Sequence, residues 1–272
     1  MVAAIVLLIG LLSLLALYGA AICWLYFWQE RLLFEPERLP ADFRLSEEPD
    51  VHEMLVEVPG AQLAAAQLRR PGARGVVFFL HGNSGNLRKW FTGLDALREQ
   101  NFDLVMFDYR GFGRSSGRIE SEAQLQDDVE AVWAHFAPQY QGRRVVIAGQ
   151  SLGTGLAACL SARLCAQGRG PDLTLMVSPY SSMRALADEL YPWVPSRVLR
   201  YPLATLDHLC RVQGRLMLIH GDRDELIGMH HSEALCRAAP RAQLLRLEGA
   251  GHGDVHEHPS FRQGIAAALA GL

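Results

Sequence analysis

The sequence predicts an α/β fold, a mostly parallel eight-stranded sheet flanked by helices, with a short lid and a transmembrane helix in front. Three observations carry this reading. Runs such as VVFFL (76–80) and RVVIAG (144–149) are almost continuously apolar, as strands covered on both faces should be. Such runs alternate with longer helical patterns, which implies crossover connections and parallel strands. The first 28 residues form a class of their own.

From Val2 through Trp28 no residue is charged, a run longer than the roughly 20 residues that cross a bilayer as a helix. Trp24, Tyr26, Phe27 and Trp28 crowd its end, where amphipathic rings favour the headgroup level. A cleaved leader would start with basic residues and exit through small ones, and this run does neither. A single-pass membrane anchor over 1–28 is therefore expected. Arg31, Arg38 and Arg44 follow it, which points to a cytoplasmic catalytic domain, but interspersed glutamates leave the sidedness open. Residues 29–50 carry Pro36, Pro40 and Pro49 among mixed charges and read as a linker, leaving 51–272 for one α/β domain.

Within that domain the expected strands are His52–Val58, Gln62–Arg69, Gly75–Leu80, Asp103–Phe107, Arg144–Ala148, Leu173–Val177, Arg215–His220 and Gln243–Leu247. The first two are close enough for a hairpin. Expected helices are Leu87–Glu99, Ser121–Phe136, Leu152–Ala166, His230–Ala239 and Pro259–Leu269. Residues 179–209 offer the room for a lid. Its Tyr191-Pro192-Trp193-Val194-Pro195 stretch reads as an acyl-chain wall, a bilayer-facing surface or ordinary packing over the sheet.

A net charge of −3 without a basic stripe argues against nucleic acid as a partner. The five cysteines form no C-x-x-C pair and no disulfide framework, and read as small core residues.

Gly149-Gln150-Ser151-Leu152-Gly153 stands between an apolar strand and a helix, the context in which a G-x-S-x-G turn projects a nucleophilic serine. The string alone is weak, because Gly113-Arg114-Ser115-Ser116-Gly117 also carries it. That copy lies in a loop with no helix opening at its serine, so Ser151 is the expected nucleophile. A serine hydroxyl needs a base, usually a histidine oriented by a carboxylate, here in the chain order serine, acid, histidine. Asp222 and Asp224 both follow the Arg215–His220 strand. His252 follows the last strand within a frame of Gly249, Gly251 and Gly253. His230 and His231 read as surface residues, and His135 as packed or solvated.

His252, Asp254, His256 and His258 make a dense cluster of metal-ligand types. Alternate residues on one short loop rarely converge on an ion, so no metal is expected, and His256 and His258 should be exposed. The glycine-rich His81-Gly82-Asn83-Ser84-Gly85-Asn86 loop follows a strand. The backbone N–H groups of Asn83 and Leu152 are the expected oxyanion donors.

HGNSGN, DYRGFGRSSG, GQSLG, HGDRDELI and GAGHGD, in that order, resemble the α/β-hydrolase superfamily, and more narrowly its membrane-anchored abhydrolase-domain serine hydrolases. Gln29-Glu30-Arg31-Leu32-Leu33-Phe34-Glu35-Pro36 is similar to the Q-x-x-L-[IF]-x-P segment that often follows the anchor in that branch. The resemblance spans the chain from residue 29 on. It implies the H-G-x-x-D acid at Asp224, and structural roles for Asp108 and Arg110. It also implies esterase, lysophospholipase or acyl-thioester chemistry on a small-molecule substrate with no cofactor, and the membrane tether points to one that is lipid-like or acylated. A peptidase or amidase would use the same residues, and a non-catalytic membrane scaffold would keep only the fold.

Overall fold

The computed structural model describes residues 1–92 and 95–272. An N-terminal helix α1 (Val2–Leu33) is 32 residues long, about 48 Å of helix. A two-residue strand β1 (Glu35–Pro36) follows, then the hairpin β2 (Val51–Val58) and β3 (Ala61–Leu68). Next come β4 (Gly75–Leu80) and a second two-residue strand, β5 (Ser84–Gly85). Helices α2 (Leu87–Thr92) and α3 (Asp95–Arg98) lie where one helix was expected, and residues 93 and 94 of that expectation are outside the described residues. The rest alternates: β6 (Asp103–Phe107), α4 (Glu122–Phe136), β7 (Arg144–Gln150), α5 (Leu152–Ala166) and β8 (Leu173–Val177). Residues 179–209, where a lid was expected, hold α6 (Met183–Leu190) and α7 (Thr205–Leu209), and β9 (Arg215–Gly221), α8 (His230–Ala238), β10 (Gln243–Leu247) and α9 (Pro259–Ala270) complete the chain.

The eight strands join in the order β10-β9-β8-β7-β4-β6-β3-β2. The β2–β3 and β3–β6 pairs are antiparallel and the others parallel. The alternation of β4 divides the core. Phe78 and Leu80 pack with Val129, Trp133 and Leu156 of α4 and α5, whereas Val77 and Phe79 pack with Phe91, Leu97, Phe261 and Ile265 of α2, α3 and α9. All of them are buried. Helices on both faces explain why these strands lack polar alternation.

The segment expected as a linker is docked from its start. Helix α1 runs past residue 28 to Leu33, Gln29 and Phe34 are buried, and β1 pairs in parallel with β5. Glu35 N–H donates to Asn83 O (2.8 Å) and Gly113 N–H to Glu37 O (2.9 Å), so the residues leaving the helix lace two loops together.

Two glycines let α5 begin close against the sheet. A Cβ on Gly153 would stand 2.0 Å from Leu80 O, and one on Gly149 would stand 2.3 Å from Gly153 O. Both obstacles are backbone and neither can rotate away. Gly153→Ala should therefore cost more than about 3 kcal/mol. Chemical denaturation of the two proteins side by side checks this.

Candidate active site

Ser151 lies at the turn from β7 into α5 with φ 50° and ψ −120°, outside the helical and extended regions. The turn is held from several sides. Ser151 N–H donates to Val177 O (2.9 Å), while Ser151 O accepts from Thr154 N–H (2.9 Å) and Thr154 Oγ1 (2.7 Å). Such a conformation costs about 1–3 kcal/mol and persists only where the surroundings impose it. It stands the side chain at the carboxyl end of β7. Leu152, the next residue, opens α5, so its N–H has no acceptor within the helix.

Strand β4 brings the glycine-rich loop to the same place. A Cβ built on Gly82 would lie 3.8 Å from Ser151 Cβ and 2.9 Å from the Trp90 ring, so this backbone passes directly beside the serine. The peptide after Gly82 is fixed by β1, since Asn83 O accepts from Glu35 N–H and Asn83 Nδ2 donates to Leu33 O (3.3 Å). Behind it, His81 Nδ1–H donates to Gly82 O (2.7 Å), and burial pushes the His81 pKa down to about 4, so the ring is neutral. Neighbouring Asp108 is pushed up to about 7 by burial, against the hydrogen bond from Leu87 N–H (2.8 Å). A Cβ on Gly113 would fall 1.9 Å from its Oδ2. Arg110 makes a buried bidentate pair with Asp128 (2.6 and 2.7 Å). Asp108 and Arg110 thus brace loops.

The second serine string has a different task. Ser115 is buried, and its hydroxyl accepts from Ala64 N–H (2.8 Å) and donates to Asp108 O (2.7 Å).

The two candidate acids diverge. Asp222 accepts from Gly249 N–H (2.7 Å) and pairs with Arg246 (2.9 Å). Asp224 Oδ2 accepts from His252 Nδ1–H at 2.8 Å, and its Oδ1 accepts from Leu226 N–H (3.0 Å) and Ile227 N–H (2.8 Å). His220, the first residue of the H-G-x-x-D motif but not among the expected site residues, is buried; its Nε2–H donates to Ile227 O (2.7 Å) and stands 3.4 Å from Asp224 Oδ2. Burial alone would raise the Asp224 pKa. Hydrogen bonds from His220, His252 and the Ile227 amide outweigh it and hold the carboxyl well below the usual range. With Nδ1–H committed to Asp224, the His252 Nε2 is left with a free lone pair. Among the described residues no hydrogen bond joins His252 to Ser151.

The histidines of the last loop separate to different partners. Asp254 Oδ1 accepts from Gly251 N–H, and His258 caps α9 by accepting from Ser260 N–H (3.2 Å). His256 and His258 are corrections to the expectation of exposure: both are half-buried, and His256 Nε2–H donates to Gln150 Oε1, tying the histidine loop to the residue before Ser151. His231 is a further correction. It is buried, with Nδ1 2.9 Å from Ser181 Oγ, whereas His230 and His135 are exposed.

Burial, with the His252 charge second, lowers the His256 pKa from 6.5 to about 4. The unfolded chain therefore binds this proton between those values and the folded chain does not. Its contribution is complete above pH 6.5 and lost as pH falls toward 4, about 3 kcal/mol in all. The difference in stability between the natural protein and His256→Asn should shrink by that order across the window, as urea denaturation at pH 7 and pH 4.5 would measure.

The serine aminopeptidase (S33) family model, itself a hydrolase family, matches residues 71–201. Alpha/beta hydrolase domain-containing protein 17B of Xenopus laevis is 30% identical over 212 residues, covering 74% of this chain and 70% of that protein. The chain is an abhydrolase-domain α/β-hydrolase. The 17C protein of Xenopus tropicalis is 31% identical over 198 residues, and this hydrolase spans 60% of that relative's length. Among solved structures, the Pyrococcus furiosus esterase Pf2001 superposes with a TM-score of 0.65 at 17% identity, covering 87% of this chain and 98% of its own. Est1E from Butyrivibrio proteoclasticus, solved with ferulic acid, gives 0.66 at 16%, covering 80% and 98%. At these identities the two structures speak for the fold.

Proposed function

We propose that this hydrolase cleaves carboxylic esters or acyl thioesters by two-step acyl transfer. Ser151 attacks the carbonyl while His252, oriented by Asp224, takes its proton. The oxyanion rests on the N–H groups of Asn83 and Leu152. His252 then protonates the leaving alcohol or thiol, and activates water to release the acid and regenerate Ser151. No cofactor enters these steps. The 2.8 Å Asp224–His252 bond, on a loop tied to the strained Ser151 elbow, carries the reading. The Ser151–His252 bond forms as substrate seats, since catalytic contacts are often open in a resting site.

Helix α1 serves as a single-pass anchor, and the substrate is lipid-like or acylated. Its uncharged, exposed face from Val2 to Ala21 supports the anchor. The family description names an aminopeptidase, which favours amide cleavage as the second reading. A matched panel of p-nitrophenyl esters, acyl thioesters and aminoacyl anilides separates the two. Ester or thioester turnover should exceed anilide turnover by about a hundredfold or more, and the reverse order would replace this reading with the peptidase.

A further inference from the structure

The anchor helix is longer than a bilayer needs, and the catalytic domain occupies its surplus. Twenty residues, Val2 to Ala21, already supply about 30 Å, the thickness of the hydrocarbon core. From Tyr18 onward the helix lies against the lid. Tyr18 Oη donates to Trp193 O (3.0 Å), and Gln29, buried, donates to Val198 O (3.3 Å) while accepting from Arg200 N–H (2.7 Å). Tyr201 Oη donates to Glu30 Oε1 (2.9 Å), and Glu30 also pairs with Arg200. Ile22, Leu25 and Gln29, on one helical face, lose exposure to this contact, whereas residues 2–21 are all exposed. A bilayer covering the helix as far as Trp28 would have to admit the polar segment 195–201 as well.

Beyond α1, five large apolar side chains are exposed among the described residues. Three of them, Leu190, Tyr191 and Trp193, share the lid tip. Trp193 of this tip is held by Tyr18, beside the point where α1 leaves the expected membrane thickness. Tyrosine and tryptophan are the side chains that favour this boundary. The base of the same lid reaches the residue after the nucleophile, because Tyr180 Oη donates to Leu152 O (3.0 Å).

We infer that the lid tip Leu190–Trp193 seats in the headgroup boundary of the phospholipid leaflet, which meets α1 near Tyr18 to Ala21 and not at Trp28. The occupant of this apolar surface is the bilayer, because the anchor contacting it fixes both its distance and its orientation. The inference rests on α1 spanning a membrane. It narrows the proposed substrate to acyl esters or thioesters that reside in that leaflet.

The test places p-benzoylphenylalanine at position 193 of the full-length chain. The protein is reconstituted into phosphatidylcholine vesicles carrying a tritiated acyl chain and irradiated. Leu12, within α1, reports the anchor, and Leu55, exposed on the edge strand β2, reports background. Lipid adduct at 193 should exceed that at Leu55 by about tenfold and approach that at Leu12. Labelling of Leu12 with 193 at the Leu55 level overturns the inference and leaves the anchor standing. Labelling of neither overturns both.

Discussion

Ser151→Ala should reduce turnover of p-nitrophenyl acetate by about 10⁵-fold or more while the protein stays folded. Alanine keeps the backbone at φ 50°, so the elbow retains its geometry and its bonds to Val177 and Thr154. What remains is the acceleration that an oxyanion site and binding give without a nucleophile. Ser151→Gly removes the nucleophile and also the cost of a side chain at positive φ. It should be more stable than the natural protein by about 1 kcal/mol. That pairing of lost activity with gained stability is expected of a strained catalytic turn and not of a surface serine. Ser115→Ala gives the opposite pattern. It orphans the buried Ala64 N–H and Asp108 O, losing about 1–3 kcal/mol of stability. The folded fraction should hydrolyse ester at nearly the natural rate. Steady-state kinetics and urea denaturation on the three variants separate the two serines.

Asp224→Asn should lower kcat by about 10⁴-fold with little change in fold. The amide oxygen can replace Oδ1 in accepting from the Leu226 and Ile227 N–H groups. Its NH₂ group then faces His252 Nδ1 and the His220 Nε2–H, where Oδ2 had accepted. A donor opposite Nδ1 forces His252 into the tautomer with Nε2–H, and that ring cannot take the Ser151 proton. Because His220 is fixed by Ile227 O and Ser232 Oγ (2.6 Å), the loop cannot turn its polarity to suit. Asp222→Asn, by contrast, disturbs an exposed contact with Arg246 and Gly249 and should leave kcat within about twofold. A kcat measurement on both asparagine variants decides between the two acids.

Much of this architecture was legible because its causes are local. All eight strands of the sheet were found, with ends moved by two residues at most; the inner ones were plainest, because strands covered on both faces are apolar along almost their whole length. The hairpin followed from the short gap between β2 and β3, and the start of α5 from the glycine-framed turn at Ser151. What stayed hidden depends on partners distant in sequence. The 29–50 segment has the composition of a linker, yet its role comes from pairing β1 with the glycine-rich loop about fifty residues on. His256 looks like one of several loop histidines until Gln150, 106 residues earlier, supplies its acceptor. His220 opens the H-G-x-x-D motif, yet the motif points to its aspartate, and only the fold places the His220 ring behind Asp224. Helix α6 places Met183, Leu186 and Leu190 at helical spacing behind the N-cap Ser182, a pattern passed over because residues 179–209 were read only as room for a lid.

The central claim is that Ser151, and not the identically framed Ser115, carries the acyl group. Brief reaction of the full-length protein with a fluorophosphonate, followed by proteolysis and mass spectrometry of the adduct, tests it most directly. The proposal predicts one phosphonylated residue, Ser151, and no adduct in Asp224→Asn over the same interval. A modified Ser115, or a protein that hydrolyses esters without forming any serine adduct, would contradict it.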